Sequence, residues 1–390
     1  MKLYLNDLGL LCAAGSSRSQ VMANIMAGNR SGLIATNEFG PMTVVGQITT
    51  ELPEIDPLYN FYQCRNNQLL LAALQQIRGT VSKITQQLGS DRIGVVLGTS
   101  TSGVRSTEQA LDYQAQHGEL PNQFHYKQQQ MGAGADFLAT YLGLTGPAYT
   151  ISTACSASGK AFASARRLLK LDLCDAVIVG GADSLCGLTV NGFAALESLS
   201  TGYCKPFGRH RNGINIGEAA SLFVLSKEPG PVQLLGIGAS SDAYHFSAPD
   251  PAGTAVITAM KKALHDADKR PNEIDYINLH GTATILNDAM ESKAVNAIFG
   301  NKVAASSSKG MTGHTLGAAA ALELGLCWML LAENGNSNLI PNINDDEPDN
   351  TLASLHLVKQ SELSDHNLHV CQSNSFAFGG NNVSIVIAKT

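Results

Sequence analysis

The feature that most narrows what this chain can fold into is an alternation. Short, continuous apolar runs end repeatedly in Gly, Ser or Thr, and stretches with helical periodicity lie between them. The runs are RIGVVLGTSTSG (92–103), AYTISTAC (148–155), DAVIVGGADSL (175–185) and AASLFVLS (219–226), followed by VQLLGIGASSDAYH (232–245), IDYINLHGTAT (274–284), VAASSSKGMTGH (303–314) and NVSIVIAK (382–389). Strands apolar on both faces belong in a sheet covered by helices on both sides. The helical stretches are NNQLLLAALQQI (66–77), KAFASARRLLKL (160–171), TAVITAMKKALHDA (254–267) and LGAAAALELGLCWMLLAEN (316–334). Strand and helix in alternation predict an α/β fold. The order looks similar in two parts, divided near Gly230 and Pro231, where a turn is expected.

Composition bounds the function. With 390 residues, 44% hydrophobic and 15% charged, the chain can bury one large core or two fused halves. A net charge of -6 without a Lys/Arg block argues against nucleic acid as a partner. The eight cysteines form no CxxC pair, which removes zinc ribbons and thioredoxin motifs and suits a reducing, cytoplasmic compartment. The first residues, MKLYLNDLGLLCAAGSS, read as a strand and turn rather than a lipoprotein signal, because Asn6 and Asp7 interrupt any apolar core. The apolar stretch 322–332 is too short to span a bilayer.

The stretch YTISTACSASGKAF (149–162) raises a chemical question. A β-rich run stops at one cysteine, small residues follow, and a helix begins over 156–171. A thiol attacks as thiolate, and a helix N-terminus is expected to lower its pKa. A lone cysteine is ordinarily a packed core residue, and Cys12, Cys64, Cys174, Cys186, Cys204, Cys327 and Cys371 are read that way. Cys155 is set apart by two histidines. His280 in NLHGTAT and His314 in SSSKGMTGHTLG also follow strands, and strand C-terminal ends are where sheet enzymes gather reactive groups. His245 stays undecided, and the other histidines are read as ordinary surface or core side chains. Gly379 and Gly380, in SNSFAFGGNN, would let backbone approach a ligand, and an N–H from that turn together with that of Cys155 could hold an oxyanion.

Five stretches in this order, TACSASG, CKPFGRHRNGINIGEAA, HGTATILND, SSKGMTGHTLGAAAALE and FAFGGNN, resemble the β-ketoacyl-acyl-carrier-protein synthases (ketosynthases) of the thiolase superfamily. The resemblance covers nearly the whole chain. It implies a thiolase-like fold, with two related α/β halves (1–230 with the cysteine, 231–390 with the histidines) in a layered αβαβα architecture. It implies that Cys155 accepts the acyl group and that His280 and His314 serve malonyl decarboxylation and condensation. Lys309 would order the site by hydrogen bonds, Thr282 and Thr284 would touch the phosphopantetheine arm, and Phe378 would gate the site. The backbone N–H groups of Phe378 and Cys155 would form the oxyanion hole, with Glu291 and Glu323 behind them. No metal or cofactor is implied; the substrates ride on the phosphopantetheine of an acyl carrier protein.

Departures from the family pattern (Ala283, Ile285, Ala377 and the polar stretch 126–137) bear on substrate preference. RNNQLLLAALQQI and VVLGTSTSG look more like the ketosynthases of bacterial aryl-polyene clusters, which elongate polyunsaturated, aryl-capped chains beside a chain-length-factor homologue lacking the cysteine. A housekeeping fatty-acid ketosynthase, a non-catalytic chain-length subunit and a thiolase are the alternatives. Family members are dimers, so a heterodimer with a chain-length factor, or a homodimer, is expected through strand 148–154. Arg65, Lys127 and Arg209 are candidate contacts for an acidic carrier protein.

Overall fold

The computed structural model describes residues 1–333, 337–345, 347 and 349–390. Ten strands carry the architecture: β1 (Tyr4–Cys12), β2 (Ile93–Gly98), β3 (Ala148–Ile151), β4 (Ala176–Asp183), β5 (Ala219–Ser226), β6 (Val232–Ser241), β7 (Tyr276–Asn278), β8 (Ala304–Ser306), β9 (Val370–Phe376) and β10 (Asn381–Lys389). The first five run in the order β3-β2-β4-β5-β1 and the second five in the order β8-β7-β9-β10-β6. Each strand n of the first set therefore has its counterpart at n+5.

The pairing directions repeat as well. β2 is parallel to β3 and β4, while β5 is antiparallel to β4 and β1. Likewise β7 is parallel to β8 and β9, while β10 is antiparallel to β9 and β6. A short antiparallel contact, Tyr4 with Gln233 and Leu5 with Val232, joins the two sets into one sheet. Beyond β8 lies a two-residue strand, His356–Leu357, so that end is capped, whereas β3 is an edge with an open side.

Six helices build the layers: α1 (Arg65–Leu88), α2 (Ala133–Leu142), α3 (Ala157–Lys170), α4 (Thr254–Asp266), α5 (Ile285–Phe299) and α6 (Ala319–Ala332). α1 and α2 cover the outer face of the first five strands; α4 packs on β6 and β10 and against α5. Between the two sets lie α3, against β2 and β4, and α6, against β9 and β5. Every residue of α6 from Ala319 to Leu331 is buried. A helix apolar all round can sit only in such an inner layer. α3 buries Ala161, Phe162, Ala165, Leu168 and Leu169, with Phe162 edge-on to Phe223 of β5 at 5.3 Å. The last residue of the helical stretch expected over 316–334 lies outside the described residues.

Missing side chains set the position of α3. A Cβ built on Gly98, at the tip of β2, would fall 2.1 Å from the backbone nitrogen of Ser158. Only glycine lets the strand tip press onto the first turn of α3, which carries the thiol. Among the described residues no helix is long and apolar enough to cross a membrane.

Candidate active site

Four strand tips meet. Cys155 follows β3 through Ala154, whose φ of +51° lies in the left-handed region, and opens α3. A turn of that kind on a non-glycine residue is strained and aims the next side chain out of the sheet. His280 follows β7 by two residues. His314 follows β8 through the short helix Lys309–Thr312 and Gly313. Phe378 follows β9, in a turn where Gly379 and Gly380 both have φ of +74°.

The convergence is tight. His314 Nε2 lies 2.9 Å from Cys155 Sγ. The thiol and one ring nitrogen from each histidine all lie within 4.8 Å of one another, and the two rings meet edge-on at 5.3 Å. Nδ1 of each imidazole is buried without a protein partner, leaving Nε2 as the nitrogen offered to the pocket. Burial, reinforced by the Lys309 ammonium, pushes both histidine pKa values well below the ordinary 6.5, so both rings are neutral.

The thiol differs from what its helix position suggests. Burial pushes Cys155 up to about 12. The Lys309 ammonium and the backbone N–H groups of Phe378 and of Cys155 itself pull the other way without prevailing. A helix start stabilises an anion by about 1 kcal/mol, whereas removing a charge from water costs several, so desolvation wins in the resting site. The same two N–H groups converge where an anion would form.

The site is held from behind by buried acids. Lys309 Nζ donates to the His280 carbonyl oxygen and pairs with Glu323. Glu323 is nevertheless raised to about 7 by burial. Glu291, raised to about 8 by burial, accepts the His280 and Gly281 N–H groups, each at 2.7 Å. Two acids escaped the sequence reading. Asp288, raised to about 6 by burial, accepts the N–H of Phe207 at 2.7 Å and of Ala283 at 3.2 Å. Asp183 accepts Ser100 N–H at 2.8 Å, Thr101 N–H at 2.8 Å and Gly317 N–H at 2.5 Å, tying the tips of β2 and β4 to the loop leaving His314. The sequence signal available for Asp183 was an acid inside a small-residue stretch; its partners, and Phe207 for Asp288, lie far away along the chain.

A pocket of about 290 Å³ opens onto the thiol. Cys155, His280, His314, Thr282, Thr284 and Phe378 all line it. Thr282 and Thr284 hydroxyls lie 3.0 Å apart, and Thr284 also caps α5 by accepting from Asn287 N–H. The Phe378 ring packs on Phe193 with centroids 5.4 Å apart, across the pocket wall.

Among the described residues no Lys or Arg lines the pocket; Glu197 and Asp242 do. Arg65 instead closes a buried ion pair with Glu218, at 2.6 and 2.8 Å, and donates to the Ile48 carbonyl. A fully buried carboxylate needs such a partner, which makes Arg65 structural. Lys127 sits 5.8 Å from the Tyr62 ring centroid, and Arg209 lies on the surface beside Glu347. His245 is also outside the pocket, where its Nδ1 accepts from the N–H groups of Ser247 and Ala248, two residues that do line it.

A duplicated α/β fold with a thiol and two neutral imidazoles at its strand tips is the thiolase-like arrangement. Family models agree: "Beta-ketoacyl synthase, N-terminal domain" matches residues 63–229 and "Beta-ketoacyl synthase, C-terminal domain" matches residues 232–344. The 3-oxoacyl-[acyl-carrier-protein] synthase 2 of Synechocystis sp. is 30% identical over all of this chain and 98% of its own length. Among solved structures, the ketosynthase ApeO in complex with its chain length factor ApeC, from Xenorhabdus doucetiae, superposes with a TM-score of 0.95 at 44% identity, covering 100% of this chain and 98% of that one. The ishigamide ketosynthase/chain length factor superposes with a TM-score of 0.88 at 25% identity, covering 100% of this chain and 99% of that one. The chain belongs to the beta-ketoacyl synthase family and is an acyltransferase that forms carbon–carbon bonds.

Proposed function

We propose that the chain is the catalytic ketosynthase subunit of a type II assembly that elongates polyunsaturated, aryl-capped or polyketide-like chains on an acyl carrier protein. The observation that carries the reading is the thiol 2.9 Å from one neutral imidazole and within 4.8 Å of a nitrogen of each.

In the loading step Cys155 Sγ attacks an acyl thioester carried on phosphopantetheine. The bond to the carrier sulfur breaks, and the thiol proton passes to that departing thiolate, while His314 keeps its Nε2–H directed at Sγ. Burial holds the resting Cys155 protonated, so proton transfer accompanies attack. A malonyl thioester then follows, its arm lying along Thr282 and Thr284. The bond to its carboxylate breaks and carbon dioxide departs, leaving an enolate. Neutral imidazoles suit that step, since two Nε2–H donors stabilise the enolate oxygen without protonating it. The enolate carbon attacks the acyl-Cys155 carbonyl. The resulting oxyanion lies between the backbone N–H groups of Cys155 and Phe378, and collapse breaks the carbon–sulfur bond, expelling a thiolate that takes a proton from water to restore the thiol. Lys309, Glu291 and Glu323 act as positioning residues for the loop of His280.

The repeated strand order supports division into an N-terminal half, 1–230, and a C-terminal half, 231–390. The open edge of β3 supports a dimer, and the likeness to a ketosynthase solved with its chain length factor supports a non-identical partner. The compartment implied is the cytoplasm.

The test is mass spectrometry of the carrier-bound product after mixing acyl- and malonyl-carrier protein with the purified complex. A 3-oxoacyl chain two carbons longer is expected with the native protein. A Cys155→Ala variant that still forms the new carbon–carbon bond would overturn the reading.

A further inference from the structure

The chain is acidic overall, yet cations concentrate at one place beside the open sheet edge. α3 runs beneath β3, and the two are joined where the Tyr149 hydroxyl lies 2.7 Å from the Ser164 hydroxyl. Helical spacing puts Lys160 four residues before Ser164 and Arg167 three after it, on the same stripe. Ser164 and Lys160 are half-buried and Arg167 is exposed. Neither cation makes an ion pair with a carboxylate among the described residues. A third cation, Lys262 of α4, anchors its ammonium on the Ala239 carbonyl at 3.3 Å. Burial and the charges of Arg167 and Lys262 together hold Lys160 below its ordinary pKa, a sign that the three lie within electrostatic reach. Asp266, on the same helix as Lys262, is already engaged. It accepts from Arg166 and, at 2.8 Å, from Ile237 N–H.

β3 exposes Ala148 and leaves Tyr149, Thr150 and Ile151 half-buried on a side with no strand partner. Two copies of this chain joined there by a twofold axis would meet through the same patch on each. Adjacent strands lie about 4.8 Å apart, so the helices beneath them would come side by side near Ser164. Antiparallel crossing there sets Lys160 of one copy beside Arg167 of the other, and like charges face each other twice. A different subunit escapes this conflict by presenting carboxylates.

We propose that the Lys160–Arg167 stripe of α3, beside the open edge of β3, docks a non-identical subunit bearing carboxylates, and that the same cations oppose self-pairing of this chain. The inference rests on the reading of β3 as the subunit contact. It adds what selects the partner. Charge opposition of this kind is how an interface rejects a wrong partner.

The experiment needs only this chain. Native mass spectrometry compares the wild-type chain, a Lys160→Glu/Arg167→Glu variant, and their equimolar mixture, at about 50 mM and about 500 mM salt, where screening differs strongly. At low salt each protein alone stays mostly monomeric, and the mixed dimer exceeds either homodimer by about tenfold or more. High salt erases that excess. A Lys160→Gln/Arg167→Gln variant, with matching circular dichroism, guards against misfolding and is expected to self-pair more than wild type. The proposal is overturned by a wild-type homodimer at low salt as abundant as the mixed one, or by a mixture no more dimeric than its components. Assembly, not condensation, is read, so failure of the catalytic reading would leave a separate signature.

Discussion

Replacing Lys309 by methionine gives a sharp test of how the site is held. Lys309 and Glu323 are 1% and 2% exposed, and they pair with each other in the layer behind His280. Removing the ammonium leaves Glu323 to stay protonated or, where it ionises, to carry a buried charge without a partner at a cost of about 4 kcal/mol. The pH dependence is more diagnostic than the size. Glu323 is raised to about 7 from 4.5, so in the folded protein it binds a proton more tightly than in the unfolded chain. Its unfavourable contribution therefore grows as pH rises from 4.5 and levels off above about 7, at about 3 kcal/mol. Without the ammonium the carboxyl stays protonated to higher pH, and the penalty keeps growing by about 1.4 kcal/mol per pH unit. Urea unfolding of wild type and Lys309→Met at about pH 7 and about pH 8 should thus show the gap widening by about 1 kcal/mol. Glu323→Gln, which keeps an acceptor for Lys309, should show no such widening. A gap that is constant across this range would refute the reasoning.

Other outcomes follow from the same geometry. Alkylation of Cys155 by iodoacetamide should accelerate about tenfold per pH unit from about pH 7 to about pH 10, because burial holds the thiol up at about 12; a plateau near pH 8 would contradict that. His280 and His314 are both held neutral well below 6.5, so the unfolded chain takes up protons that the fold refuses. Stability should fall as pH drops below about 6.5, by up to about 3 kcal/mol per unit for two groups, and a His280→Gln/His314→Gln variant should flatten the slope in urea titrations. Gly380→Ala should lower kcat at least about tenfold, since its φ is +74° and a Cβ would sit 2.1 Å from the Asp242 carbonyl oxygen, shifting the turn that aims the Phe378 N–H. Asp183→Asn turns an acceptor of three backbone N–H groups partly into a donor; about 2 kcal/mol of stability should be lost, together with condensation rate as the His314 loop loosens.

Much of the fold was legible because its signals are local. Each apolar run ending in Gly, Ser or Thr became a strand with a loop at its C-terminal end, and each helical stretch a helix. The convergence of Cys155, His280 and His314 was legible for a related reason: each follows a strand tip, and the tips gather at one end of the sheet. What went unread depends on partners distant in sequence. Nothing near Arg65 says that Glu218 will bury its carboxylate against it. Nothing near Asp183 shows that Gly317, on the other half, will donate to it. Nor does any short stretch show that Glu197 and Asp242 will line the pocket, because which side chains reach it is decided by packing.

The amino-acid order alone determined the alternation of strands and helices and which thiol and imidazoles stand just beyond strand ends, since periodicity and residue chemistry act over a few positions. Tertiary structure alone decided the state of those groups. A helix start argued for an activated thiol, but enclosure between two halves raised it instead and kept both imidazoles neutral. Desolvation is a property of everything that surrounds a group, and no short stretch of chain contains it.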